Sequence, residues 1–577
     1  MGYKEAYRNT FLVDALEYAG IVKLDPNFVQ QQPTAAVSAS SQTSEKKDRT
    51  SVERDLEAAV EEAEQNADPA AAAAAAATAD SAVVSRSSST EEDLVLGEKT
   101  VAEEDNEIDP FLVDWNGDSD PENPLNWSGR KKAFVVAQMM LLTTTTYMGA
   151  SIYTPGQEQL QKDFHVGHVV GTLNLSLYVL GYGLGPIIFS PLSEVVTIGR
   201  QPLYIVTLFL FMLFQVGSAT VQNMGGLAVI RFIAGVVCSP SLATGGATMG
   251  DIISPEIVPV FIGLWAVGAV AAPVIAPLLG AAMVVAKDWR WVFWLLMFIS
   301  AFTLILLVAF FPETQHNNIL HRRAKRLRKQ TGDSRYYTRQ ERVDSEIEVR
   351  AFLKELFVRP FLVMLKEPAV LAFDLYIALC YGAFYLFFEA FPIVFIGIYN
   401  FTLVEMGLAY MGFCVGCVIA YVLLLCYLAM YIGPKFKNGT FKPEDFLPLA
   451  MMVCWCLPLS LFLFGWTARV HWILPIISEV FFVLGVFNLF QAAFAYLAIC
   501  YPRYMASVFA SNGFCRSVFA CAFPLFGQAM YNNLGSEKYP VGWGSSLVGF
   551  FCIVLAVIPF AFYKYGPTLR GKSEYAN

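Results

Sequence analysis

Charge is scarce in this sequence. Lysine, arginine, aspartate and glutamate together make up 15% of its 577 residues, where soluble domains carry about a quarter. With 55% hydrophobic residues gathered in long blocks and not in amphipathic stripes, a string of water-soluble domains is excluded. The net charge of -9 does not mark a binder of basic partners, because the acids crowd into the first hundred residues. No nucleic-acid partner is expected. Histidine is equally thin: His165, His168, His316, His321 and His471 are too few and too scattered for a membrane di-metal oxygenase. His165 and His168 read as ordinary surface residues of the first outer loop. No Gly-x4-Gly-Lys-Ser/Thr loop is present, so ATP does not drive the protein through a site of its own. The eleven cysteines all lie within apolar runs, which suits reduced packing residues better than a disulfide framework. Cys414-Val-Gly-Cys417 has redox spacing but sits mid-helix without a second pair. No cofactor or metal is expected.

What is present is membrane-length apolar sequence. Twelve segments, near 133–153, 169–190, 201–220, 225–247, 258–284, 291–311, 369–397, 404–431, 447–466, 472–500, 505–530 and 541–564, approach or exceed the ~20 residues needed to cross a bilayer. The fold class is therefore an all-α polytopic membrane protein. A polar connection, 312–368, divides the segments into an amino-terminal six-helix half (109–311) and a carboxy-terminal one (369–577). Ahead of them, 1–108 reads as a tail. Residues 1–27 predict a short amphipathic helix on the membrane surface, without the continuous apolar core of a signal peptide. The Ala-, Ser-, Glu- and Gln-rich stretch after them cannot bury a core and is expected to be disordered. Arginine and lysine collect in alternate connections, at Arg130, Lys131, Lys132, Arg200, Arg322, Arg323, Lys325, Lys435, Lys437, Arg570 and Lys572. The positive-inside rule then predicts both termini in the cytoplasm, in a multi-pass membrane protein.

Some segments carry more than hydrophobicity. The fifth, GLWAVGAVAAPVIAPLLG, spaces Gly268, Ala272 and Ala276 four apart, a flat stripe against which another helix can pack closely. Pro273 and Pro277 each remove a hydrogen bond and bend it, and Gly280 follows. Such a helix suits a pivot. The turn between segments two and three holds Glu194, Gly199 and Arg200, and a carboxylate beside an arginine at a helix end can latch one conformation. Arg231 lies well inside segment four, where an arginine needs a partner, a wet cavity or a function. Asp251 closes that segment. Gly181, Gly183 and Gly185 repeat like a dinucleotide motif, but within a span they read as packing residues.

These pieces resemble the major facilitator superfamily, specifically its twelve-helix drug:proton antiporters. Glu194, Gly199 and Arg200 look like the loop two–three signature, Arg231 with Gly235 like the helix-four motif, and Gly268, Pro273, Pro277 and Gly280 like the helix-five antiporter motif. DWNGDSDPENPLNW, YTPGQ, SPSLATGG, DWRWVFW, FPET, YLFFEAFPIVF, SVFAS and VGWGSS are similar to the yeast fluconazole- and benomyl-resistance exporters of the plasma membrane. The resemblance implies two six-helix bundles, alternating access, and export of azoles, benomyl and other mixed compounds, driven by the proton gradient and with no cofactor. Drugs, protons and the bilayer would be its partners, and the chain a monomer. The cavity is expected near the midplane between the halves. Its candidate walls are Tyr147, Tyr178, Phe384, Tyr385, Phe388, Asn488 and Gln491, since polyspecific sites use large adaptable apolar surfaces. For coupling, Arg231 is expected to act on a membrane carboxylate, with Glu389 first and Asp374 and Asp251 as alternatives. Arg231→Ala would then fold normally and lose only uphill transport. The competing readings are a proton-coupled nutrient importer, which would want a more polar cavity, and a receptor or scaffold signalling through the tail.

Overall fold

The computed structural model describes residues 9–18, 109–117, 119–345 and 349–576. Twelve of its helices are long and apolar enough to cross a membrane. They are α1 (Gly129–Phe164), α2 (His168–Leu192), α3 (Arg200–Thr220), α4 (Met224–Ile252), α5 (Val258–Ala286), α6 (Trp289–Phe310), α7 (Pro368–Ile396), α8 (Leu403–Lys437), α9 (Pro443–Thr467), α10 (Ile473–Cys500), α11 (Pro502–Leu534) and α12 (Gly542–Arg570). Among the described residues β pairing is confined to two isolated bridges. Every predicted segment recurs as a span because apolar length alone sets it; even the shortest, 21 residues, covers about 30 Å of hydrocarbon. α1 runs on past its predicted end by way of a tight turn at Thr154–Gly156.

The connections end on helix caps, which satisfy amides that lipid cannot. Asp288 accepts from Arg290 N (2.8 Å) and Trp291 N (3.2 Å) at the start of α6. Asn223 accepts from Gly226 N (2.6 Å) at the start of α4, and Thr402 with Glu405 forms a reciprocal capping box on α8.

α5 stays one continuous helix through both prolines. Pro277 has no N–H to give to the Pro273 carbonyl, and α1 supplies the missing donor: Ser151 Oγ reaches that carbonyl at 2.6 Å. The small face packs on α1, with Ala272 and Ala276 wholly buried. A Cβ on Gly280 would lie 1.9 Å from the Ile152 carbonyl, so the two backbones meet there.

In the amino-terminal segment, helix Phe11–Tyr18 packs beside α6. Asn9 and Thr10 are buried. Thr10 forms an antiparallel bridge with Pro312, the Asn9 carbonyl accepts from Glu313 N at 3.0 Å, and Asp14 pairs with Arg322 at 2.5 Å. The helix predicted to lie on a membrane surface is thus clasped to protein, though Phe11 and Leu12 remain exposed. The remainder of 1–27 and the stretch predicted to be disordered lie outside the described residues. A second compact unit joins 109–117 to 323–337: Val113 N donates to the Tyr337 carbonyl (2.8 Å), Tyr337 N to the Phe111 carbonyl (3.0 Å), and Arg335 lies 4.0 Å over the Phe111 ring.

Candidate functional site

At the end of the bundle where α2 meets α3, Gly199 adopts φ +76°, a conformation glycine takes without penalty. A Cβ there would strike Glu313 Oε2 at 2.5 Å. Glu313 is buried and caps α3, accepting from Arg200 N (3.1 Å) and Gln201 N (3.2 Å). Arg200 does not meet Glu194. Its guanidinium forks onto Asp251 at the end of α4, Nε to Oδ2 at 2.8 Å and Nη2 to Oδ1 at 3.2 Å. Glu194 is exposed and is held through its backbone, its N–H donating to the Pro191 carbonyl at 3.0 Å and its carbonyl accepting from Gln315 Nε2 at 2.6 Å. The latch therefore joins α3 to α4, with Glu313 beneath it. Neutralising Arg200 or Asp251 should destabilise this arrangement by about 1–3 kcal/mol, a partly buried pair at a rim. Glu194→Gln should do almost nothing. The melting temperatures of the three single variants check this, and a Glu194 effect as large as the other two would contradict it.

Arg231 is wholly buried. Among the described residues no carboxylate lies within ion-pair distance of it. Nη2 donates to the carbonyls of Gly149 (2.6 Å) and Ala150 (3.3 Å), and Nε to that of Asn174 (3.2 Å). Its plane lies over Tyr178 (4.4 Å), Tyr153 (5.3 Å) and Phe293 (5.7 Å). Gly149 and Ala150 belong to the last turn of helix Gly129–Ser151, which stops just before the Thr154–Gly156 turn. Carbonyls at a helix end carry partial negative charge and lack intrahelical donors, so the arginine serves as a cap. Aromatic faces complete its solvation. Tyr178, predicted as a cavity wall, is a partner of this cap; its hydroxyl donates to the Thr146 carbonyl at 2.6 Å.

Between the two halves lies a seam of phenols. Tyr147 of α1 and Tyr182 of α2 face Tyr381 and Tyr385 of α7. The Tyr147 and Tyr381 hydroxyls bond one another, and Tyr182 bonds Tyr381 (2.7 Å) and Tyr385 (3.0 Å). Arg516 of α11 stands 4.9 Å from the Tyr381 ring, and its Nε has no hydrogen-bond partner. Phe384 and Phe388 turn into the carboxy-terminal half, against Phe413 (5.5 Å) and Tyr410 (5.5 Å) of α8. Asn488 is buried on α10 with Nδ2 spent on the Leu484 carbonyl, and Gln491 is half-buried one turn on. The halves also touch where a Cβ on Gly183 of α2 would lie 2.1 Å from Ser517 of α11, and where one on Gly407 of α8 would lie 2.8 Å from Leu278 of α5.

Glu389 is nearly buried near the opposite end of α7. Its Oε2 meets His168 Nε2 of α2 at 2.7 Å and its Oε1 accepts from Thr172 at 3.4 Å. This pair crosses between the halves, so His168 is not the simple surface residue expected. Asp374 is buried within the carboxy-terminal half, accepting from Ser511 (2.9 Å) and Asn512 (2.9 Å) of α11. The sequence reading passed over Tyr182, Tyr381 and Arg516, and held Glu313 only as part of the FPET stretch. Arg516 could have been found by the rule that singled out Arg231, an ionisable side chain inside a span. Tyr182 and Tyr381 sit one turn from Tyr178 and Tyr385, on the same helix faces.

Twelve spans in two halves, a charged latch at one end and a phenol seam between the halves define a membrane transporter. Residues 139–524 match the Major Facilitator Superfamily, and the chain belongs to it. Over 575 residues, 100% of both chains, it is 62% identical to fluconazole resistance protein 1 of Saccharomyces cerevisiae. It is 57% identical to multidrug transporter FLR2 of Candida glabrata, covering 100% of this chain and 99% of that one. The fold is shared with the xylose transporter XylE from E. coli, solved in a partially occluded inward open conformation: TM-score 0.52 at 13% identity, over 75% of this chain and 99% of that one.

Proposed function

We propose that this chain is a proton-coupled multidrug exporter of the plasma membrane, a monomer with both termini in the cytoplasm. It moves azoles, benomyl and other apolar or amphipathic compounds outward as protons move in. The observation that carries the reading is the seam: four buried phenols beside Arg516, set between two halves that touch elsewhere through glycines. Aromatic faces and hydroxyls can hold chemically mixed, flat molecules without demanding one hydrogen-bond pattern. The names of the two fungal relatives support the same substrate class. Lysine and arginine at the end holding Arg200, Lys435 and Arg570 support the orientation. The Arg200–Asp251 latch works at the cytoplasmic rim and the α5–α1 seam is the pivot. Glu389, paired to His168 across the halves, is the leading proton-linked carboxylate, and Asp374 and Asp251 hold helices together within their halves. Arg231 supports coupling by fixing the turn at the end of helix Gly129–Ser151.

The deciding experiment loads energised vesicles with radiolabelled fluconazole and then collapses the proton gradient. Uphill movement should cease on collapse. Drug transport that continues unchanged would overturn the reading.

A further inference from the structure

Glu479, in the second turn of α10, is wholly buried, and neither carboxyl oxygen has a hydrogen-bond partner. α8 covers it. A Cβ on Gly412 would lie 2.6 Å from Oε2, and Tyr410 and Cys414 are the titratable groups whose fields overlap that of the carboxyl. The Phe413 amide, committed to the Tyr410 carbonyl at 3.1 Å, is the one backbone donor close enough to favour the carboxylate. α9 brings Ser460, whose hydroxyl is spent on the Ser478 carbonyl at 2.6 Å. α7 brings Phe387, 5.1 Å from Phe482 of α10. Among the described residues no basic side chain acts on Glu479.

A carboxylate buried without donor or cation is among the costliest groups a protein can hold, whereas the protonated acid is far cheaper. A metal ion would need several ligands, and among the described residues no cluster of carboxylates, histidines or thiols that could hold one forms here. In this conformation the group therefore holds a proton.

We propose that Glu479 is a proton-binding site of the carboxy-terminal half. Coupling then follows if Glu479 ionises only in the alternate conformation, where water reaches it. This inference rests on the proton-coupled reading above.

Infrared spectroscopy of the purified full-length protein tests the site directly. A carbonyl band of a buried protonated carboxyl should be present and should vanish in Glu479→Gln. In vesicles that variant should keep fluconazole counterflow, which needs no proton, and lose uphill transport; Glu479→Asp should keep part of it. If Glu479→Gln fails to fold, Glu479→Asp decides, since its band should be displaced from the wild-type position; a band that stays at that position in Glu479→Asp overturns the assignment. A band unchanged in Glu479→Gln, or uphill transport at the wild-type level in that variant, overturns the assignment. A wild-type protein that moves drug without protons would instead overturn the proton-coupled reading, with the infrared band still deciding whether Glu479 holds a proton.

Discussion

Arg231→Ala should lower the melting temperature of the purified protein and its abundance at the cell surface, before any question of coupling arises. The guanidinium supplies donors to three buried carbonyls on α1 and α2. Each carbonyl left without a donor costs about 1–3 kcal/mol. Losing two of them costs about 2–6 kcal/mol, a large share of the ~5–15 kcal/mol that holds an ordinary domain together. The lost stacking on Tyr178 adds to this. Arg231→Lys should recover only part, because an ammonium is a point donor and cannot fork across two helices. The sequence reading had this variant folding normally and losing only its uphill work. The residue's hydrogen-bond partners are backbone carbonyls, so a loss of stability is expected first. An Arg231→Ala protein melting at the wild-type temperature would return the residue to a purely functional role.

Gly183→Leu should arrest transport while leaving each half folded. Position 183 has no room for even one carbon beside Ser517, 2.1 Å away across the boundary between the halves. Overpacking a tight contact costs about 1–3 kcal/mol. Here the cost falls on the conformation in which α2 and α11 touch, because no other contact of Gly183 within its own half is as close. A bias of that size shifts a two-state equilibrium roughly 5- to 150-fold. The cycle should stall in the opposite state, with drug still binding there. The milder Gly183→Ala should be partly restored by Ser517→Gly, which removes the atoms it would strike. Wild-type turnover in Gly183→Leu at normal abundance would show that this contact is not broken and remade during transport.

The spans were legible because a bilayer sets their length, and a run such as Trp289–Phe310 has no other use for so little charge. Pairings were not. Arg200 was matched to Glu194, its neighbour in the chain, while its true partner Asp251 is brought to it by the packing of α3 on α4. Arg231 was expected to seek a carboxylate because the sequence does not reveal that α1 breaks beside it, leaving carbonyls to be capped. Phe384 and Phe388 could not be distinguished from Tyr385, since all three belong to one aromatic run and only the rotation of α7 decides which side chains face the other half. Glu479 and Arg516 are different. They were readable as ionisable groups within spans, and attention to Arg231 and Glu389 hid them.

The clasp between the first described residues and the end of α6 bears on biosynthesis. Asn9 and Asp14 leave the ribosome near the start, but their partners Glu313 and Arg322 are made some three hundred residues later. At ~5–20 residues per second that is a wait of about 15–60 seconds. The leading segment must stay unengaged while six spans are inserted, and it can dock only when the amino-terminal half is complete and before most of the carboxy-terminal half exists. Its docking therefore marks the point at which one half of the transporter is finished, and a chaperone or quality-control factor that held residues 9–18 would sense an unfinished half.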